Sequence, residues 1–431
     1  MRILFLTQYY PPESGATQNR VSDLASRVKI AGHQVTVLTA VPNHPKGEIY
    51  PGYRGRFTLT EDAAGIRIVR TWIFATRKQT FFPRILNYLS FTLLSVAVGA
   101  LRIHNVDAIV VDSPPLFLGF SGYLLSKLKR AKFVFNIADL WPESAVVLGV
   151  LRSRTLIRWT TRAEEWLYRH ANLVTGQTQG IVDSIRKRCA NARIQLITNG
   201  VSLEFLESAA RASASREAVR SEFGVSGKFV VGYAGLHGLV YRLDAMLDAA
   251  RALAHFHDIH FLLIGDGPDK NRLQTRAEHE KITNVSFLGT LPAARMPEVF
   301  TAMDVLLISL RRGDLFKGTI PCKLFEAMGA QVPVVGALEG EAQKIIATAN
   351  CGICVEPENT AAIVEAVTTL YRDPDLRTRL GNNGREYVSK NYNRREIAAR
   401  FERLLAEILS VPPSLTGRVE ATGSKEYQPN S

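Results

Sequence analysis

Short apolar runs rich in Val, Ile and Leu recur along the chain, each followed by a loop and a segment with helical spacing, and the alternation starts twice. Strands covered on both faces need such runs, and two parallel strands need a crossover, usually a helix, between them. The first series opens with a strand over 3–6, a helix over about 18–31 ended by Gly32-His33, and a strand over 35–38. It continues with strands at 66–70, 108–111, 132–137, 172–175 and 194–197, and a helix over 116–128. The second series has strands at 229–233, 259–264, 285–288 and 304–308, with helices over 243–255 and 296–303. Repeated β-α-β units imply right-handed crossovers and an α/β class with two doubly wound, Rossmann-like halves. The first turn carries no GxGxxG, which argues against a dinucleotide dehydrogenase.

A length of 431 residues suits two or three domains. The net charge of +13, from 53 Lys+Arg against 40 Asp+Glu, favours nucleic acid, phosphorylated small molecules or an acidic membrane as partner. No base-stacking module accompanies it, so no nucleic-acid partner is expected. Four cysteines make no disulfide framework, and Cys351-Gly-Ile-Cys354 lacks the second pair or His cluster of a zinc site. The start, MRILFLTQYYPP, is too short in apolar residues for a signal peptide and reads as a strand. A cytoplasmic protein is expected.

The stretch over 309–329, SLRRGDLFKGTIPCKLFEAMG, is the richest in chemistry. A strand, a loop with Gly313 and Gly318, and a helix begun by Pro321 make a seat for phosphate, where amides and the helix dipole favour an anion. Arg311, Arg312, Lys317 and Lys323 add positive charge, and Glu326 can accept from hydroxyls. A solvated basic loop capping an ordinary helix is the competing reading. Asp139 and Glu143 follow the strand at 132–137, on a loop beyond its carboxyl end, where a helix-cap role competes for Asp139. His33 reads as structural. Residues 42–65 read as a long Pro/Gly/Tyr loop. The uncharged run over 85–101 fits a core helix or one lying at a membrane interface, and is short for a span. Arg152, Arg154, Arg158, Arg162 and Arg169, interleaved with Leu156, Ile157, Trp159, Trp166 and Leu167, fit an anionic lipid surface or a solvated face.

Gln8-Tyr9-Tyr10-Pro11-Pro12, Gly32-His33, Pro42-Asn43, Tyr50-Pro51-Gly52-Tyr53, Ser113-Pro114-Pro115, Asp139-Leu140-Trp141-Pro142-Glu143-Ser144, Asn199-Gly200-Val201, Gly265-Asp266-Gly267-Pro268 and Pro321-Cys322-Lys323-Leu324-Phe325-Glu326 follow in this order. With them the chain resembles the family-4 retaining glycosyltransferases. Among these it looks most like the branch that builds O-antigen, capsule and exopolysaccharide, including N-acetylfucosaminyltransferases.

The resemblance implies a GT-B fold, two Rossmann-like domains facing a cleft. It implies an acceptor-side domain over 1–205, a linker over 206–226 and a nucleotide-sugar domain over 227–388. A helix over 389–410 packs back on the first domain, and a disordered tail covers 411–431. Implied partners are a nucleotide-sugar donor, most often UDP-linked, and a polyprenyl-diphosphate-linked acceptor at the inner face of the cytoplasmic membrane. No metal or other cofactor is expected, because cations and helix-end amides can stabilise the diphosphate leaving group. No Asp-x-Asp motif stands at a convincing site.

Implied catalytic residues are Asp139, Glu143 and Lys323. Implied donor-binding residues are Gly15, Gly235, Gly238, Arg242, Gly265, Lys317, Gly318, Thr319, Lys323, Leu324 and Glu326. Two departures stand out: the family's second Glu, eight residues before Glu326, is here Gly318, and the turn at Leu236-His237-Gly238 lacks the common Arg and Lys, leaving Arg242 nearest. A sugar-nucleotide epimerase and a non-catalytic partner subunit on the same fold are the alternatives.

Overall fold

The computed structural model describes residues 1–13, 15–44, 47–77, 81–147, 151 and 153–411. The tail expected to be disordered lies outside them beyond Val411, as does Arg152 of the basic amphipathic stretch.

The first sheet takes β1 (Arg2–Leu6), β2 (Gln34–Ala40), β3 (Thr58–Ala63), β4 (Ile66–Thr71), β5 (Ala108–Ser113), β6 (Lys132–Ile137), β7 (Leu173–Gly176) and β8 (Ile194–Leu196). Their spatial order is β3-β4-β2-β1-β5-β6-β7-β8, and only β3 and β4 pair antiparallel. The period of two along β1 puts Leu4 and Leu6 in one core cluster and Ile3 and Phe5 in the other. That is why the run is apolar throughout. Helices α1 (Ala16–Ile30), α2 (Phe81–Arg102), α3 (Leu118–Lys129), α4 (Glu143–Val147), α5 (Arg154–His170) and α6 (Gln179–Arg188) cover the faces.

The second sheet takes β9 (Phe229–Ala234), β10 (Ile259–Ile264), β11 (Val285–Leu288), β12 (Val305–Ser309), β13 (Val334–Ala337) and β14 (Gly352–Val355), in the order β11-β10-β9-β12-β13-β14 and wholly parallel. Its helices are α7 (Leu203–Ala212), α8 (Arg216–Glu222), α9 (Asp244–Ala252), α10 (Lys270–His279), α11 (Met296–Thr301), α12 (Asp314–Lys317), α13 (Cys322–Gly329), α14 (Glu341–Ala349), α15 (Thr360–Arg372) and α16 (Pro374–Asn391). The last helix, α17 (Arg394–Leu409), lies on the first half, where Phe401, Leu404 and Leu405 join the cluster of Val21 and Ala25 on α1. His33 is structural: its Nε2 meets Glu402 Oε1 of α17 at 2.9 Å.

Two expectations need correction. The loop over 42–65 contains strand β3, a polar edge strand with no apolar alternation to reveal it. The linker over 206–226 is largely helical, and Leu206, Ala209, Val219 and Phe223 of α7, α8 and their connection belong to the core of the second half.

Candidate active site in the cleft

Strand order reverses in each sheet beside its first strand, between β1 and β5 and between β9 and β12. Loops leaving the carboxyl ends there part company and open a crevice, the usual ligand position in such sheets. Contacts between the halves run along these ends. Asn199 Nδ2 donates to Cys322 Sγ at the start of α13 (2.7 Å), and the Gln179 amide of α6 donates to Glu341 of α14 (2.8 Å). The Gly180 amide donates to the same carboxylate, and a Cβ at Gly180 would lie 3.0 Å from Gly318 Cα.

On the second half, the turn after β9 and the turn after β10 stack backbone on backbone. Gly265 has φ +136°, and a Cβ there would lie 2.0 Å from the Gly235 carbonyl oxygen. A Cβ on Gly267 would lie 2.5 Å from the His237 oxygen. His237 is held by its own backbone, its amide donating to Asp266 O (2.9 Å) and its carbonyl accepting from Asp269 (3.1 Å). Its ring is fully buried with neither nitrogen hydrogen-bonded among the described residues. Burial first, then Lys270 and Lys323, push this imidazole down to about 4, so it is neutral at pH 7.

Lys323 stands in the first turn of α13 and is 7% exposed. Its Nζ lies 3.5 Å from the ring centre of Tyr233 and 4.2 Å from that of Tyr241. A Cβ on Gly235 would sit 3.1 Å from the same nitrogen, so only glycine leaves this approach open. The ammonium has no hydrogen-bond partner among the described residues, and burial pushes its pKa well below the usual lysine range. Two desolvated cation–π contacts supply about 2 kcal/mol each. That falls short of the desolvation cost of a buried ammonium, several kcal/mol. An anion at the mouth of the turn would complete the balance. Glu326, one turn along, is half-buried. Burial raises its carboxyl, against the pull of Arg394 and Lys323.

The structure gives the other predicted cations different work. Lys317 is exposed and pairs with Asp314 at 2.8 Å, and Arg242 is exposed and pairs with Glu358 at 3.4 Å. Arg312 pairs with Glu356 at 2.5 Å, which leaves Arg311 as the loop's cation with no ion pair among the described residues. Gly318 packs at the boundary between the halves. Gly238 opens the short turn into Tyr241, and Thr319 is tied by its amide to Phe316 O. Leu324 is a core residue, so only its backbone is available to a ligand.

On the first half, Gly15 caps α1 at its amino end. Arg20 of α1 pairs with buried Asp112 at the end of β5 (2.5 Å), and Asn136 donates to the same carboxylate (2.6 Å). Asp139 lies beside this pair with its side chain open to solvent and without a hydrogen bond among the described residues. The surrounding protein pushes its carboxyl up, Arg20 pulls it down and Asp112 adds a smaller upward push. Tyr241, half-buried with its ring against Lys323, is raised by desolvation and further by Cys322 and Asp139. Asp139 and Lys323, from opposite halves, therefore flank one phenol. Glu143 is elsewhere: its Oε1 pairs with Arg188 (3.0 Å), which also binds buried Glu164 (2.9 Å), under α5.

Sequence reasoning missed Tyr233, an aromatic at the end of an apolar strand, Tyr241, in the turn after Gly238, and Glu13, which directly follows the Pro11-Pro12 pair. Glu13 is buried and accepts from the amides of Tyr10 (3.2 Å), Asn43 (2.7 Å) and His44 (2.7 Å), so one carboxylate sets both loops of the first crevice. Burial pushes its pKa up to about 7 against those three donors.

Residues 15–200 match the model of the glycosyl transferase 4-like domain and residues 215–387 that of glycosyl transferases group 1. One relative, from Escherichia coli K12, is named for colanic acid biosynthesis as glycosyl transferase WcaI; it is 24% identical over 93% of this chain and 98% of its own. A GDP-mannose-dependent alpha-mannosyltransferase of Mycolicibacterium smegmatis is 24% identical over 86% of this chain and 89% of its own. Among solved structures, Anabaena Alr3699/HepE in complex with UDP and glucose superposes with a TM-score of 0.70 at 19% identity, over 94% of this chain and all of that one. All three likenesses span both halves.

Proposed function

The chain is a GT-B glycosyltransferase of the family-4 type, an enzyme of the hexosyltransferase class, and on that premise we propose that it moves a sugar from a UDP-linked donor to a lipid-linked saccharide in the synthesis of a bacterial surface polysaccharide. The reading rests first on the buried Lys323 amine beneath the glycine turn, which has no hydrogen-bond partner among the described residues.

In this reading the donor diphosphate lies over Gly235 and the first amides of α13, and Lys323 and Arg311 meet the negative charge that grows as the glycosidic bond breaks. Glu326 accepts from the ribose hydroxyls. Asp139 lies by the reacting sugar, where its charge favours the oxocarbenium-like state. The new bond keeps the donor's anomeric configuration, and the cations make a divalent metal unnecessary. The protein works in the cytoplasm against the inner face of the membrane, where the polyprenyl-diphosphate acceptor lies.

The test is a donor panel with the purified full chain, containing UDP- and GDP-linked hexoses and N-acetyl-6-deoxyhexoses, with and without a polyprenyl-diphosphate saccharide. Nucleotide release that needs the acceptor, is unchanged by EDTA and gives the retained anomer by NMR supports the proposal. An isomerised donor without acceptor would replace it with the epimerase reading. Silence across the panel would favour a partner subunit.

A further inference from the structure

We propose that the outer face of α2 and α3 is a membrane-docking surface that lies flat in the interface of a bilayer containing anionic lipid. Phe82, Leu86, Leu89, Leu93 and Leu101 of α2 are exposed at helical spacing, Phe82 at 75% and Leu93 at 70%, and form one stripe along the helix. Leu124 and Leu128, one turn apart on the adjoining α3, are exposed too and widen it. Single exposed leucines need no explanation, but a continuous two-helix ridge does.

Charge selects the occupant. Neither helix carries an Asp or a Glu, and Arg84, Arg102, Lys127 and Arg130 stand at the ends of the ridge. Helix α5 covers the same sheet face, its Leu167 and Tyr168 sharing a core cluster with Phe91 of α2 and Leu125 of α3. Its outer side offers Trp159, 66% exposed, between Arg158 and Arg162. An apolar ridge with tryptophan and a one-sign basic rim suits acyl chains below anionic headgroups. A second copy would bring like charge to like, on a chain of net charge +13.

By length and composition α2 could cross a membrane, but its inner side is bound into the domain. Gln8 donates to Asn87 Oδ1 (2.8 Å), Asn87 to Phe74 O (2.8 Å), and Ser121 of α3 to Thr92 O (2.7 Å). The helix therefore lies in the interface plane rather than through it. The Gln8 bond ties its first turns to the loop after β1, so docking would hold the mouth of the cleft at headgroup depth. The proposal deepens the lipid-linked reading and rests on it for the presence of a membrane.

The test is co-sedimentation of the full chain with vesicles of phosphatidylglycerol and phosphatidylethanolamine, and with pure phosphatidylcholine. Wild type is expected to prefer the anionic vesicles and to lose that preference in high salt. The triple variant Leu86→Gln, Leu93→Gln, Leu128→Gln is expected to lower partitioning by about tenfold or more. It keeps its melting temperature and its transfer to a water-soluble acceptor analogue. Equal vesicle binding by variant and wild type, or no binding by wild type, would overturn the surface. So would a variant whose change is dimer to monomer. Vesicle binding lost in the variant, without any lipid-linked transfer by wild type, supports the surface and removes the acceptor reading. Lipid-linked transfer without vesicle binding does the reverse.

Discussion

The two crevices are built from the same strand–loop–helix parts and treat charge in opposite ways. In the first half, the titratable groups that shape the loops have hydrogen-bonded partners. Arg20 holds Asp112, Glu13 holds three amides, and Arg70 bonds Glu61 (2.6 Å) and the Pro11 carbonyl (2.5 Å). In the second half the loops are shaped by glycine contacts instead, and the buried amine at their centre, Lys323, is left without a hydrogen bond among the described residues. Paired charges fix backbone; an unpaired one is available to substrate. Asp139 is the first half's counterpart, an exposed acid beyond β6 with no hydrogen bond among the described residues.

If that contrast is right, Lys323→Ala has the largest effect, lowering kcat/KM by about a hundredfold or more in a transfer assay. Lys323→Arg is expected to rescue little, because the wider guanidinium does not fit between Gly235 and the two rings. A wild-type rate in either variant would move the site elsewhere.

Asp139→Asn is next, with a loss of about ten- to a hundredfold in kcat and an unchanged melting temperature. Glu143→Gln is its control. It should lower the melting temperature by loosening the grip on Arg188 and leave kcat within about threefold. The reverse pattern would exchange the roles of the two acids.

Gly265→Ala sharpens the comparison through stability, since glycine contacts stand where the first half uses ion pairs. The left-handed φ alone costs about 1–3 kcal/mol, and the clash with Gly235 adds to it. Calorimetry is expected to show a lowered melting temperature and weakened nucleotide binding together.

The smallest effect is a pH slope. Folding raises Glu13 from 4.5 to about 7, so its contribution to stability is complete below about 4.5 and is lost as pH rises through about 7. Melting temperatures from pH 4 to pH 8, roughly the window of that shift, should fall for wild type, and Glu13→Gln should flatten the fall. Parallel curves would mean that the three amides hold Glu13 ionised throughout.

The sequence showed most of the strands, because strands buried on both faces must be apolar along their length. It also singled out Lys323 and Glu326 as candidates, since both lie in one short run after β12 that the structure folds into α13. It did not show β3, whose polar edge residues carry no alternation, or the helices of 206–226. Lys317 was assigned to the donor by its place in the basic glycine-bearing loop, and Arg242 by nearness to the turn at Gly238. Asp314 engages the first locally and Glu358, far along the chain, the second, and a charge pairing across 116 residues leaves no local sign. Tyr233 was hidden for the opposite reason, as an aromatic in an apolar strand that reads as core until its ring is found under an ammonium.

The most direct measurement is calorimetric titration of the full chain and of Lys323→Ala with UDP and GDP, each beside its nucleoside. Wild type is expected to bind one diphosphate far more tightly than its nucleoside. Burial holds Lys323 below its usual range and a bound diphosphate would draw it back up, so binding should take up protons and tighten as pH falls through that interval. The variant is expected to lose both the diphosphate preference and the proton uptake. A variant that keeps both would contradict the assignment of Lys323 to the diphosphate.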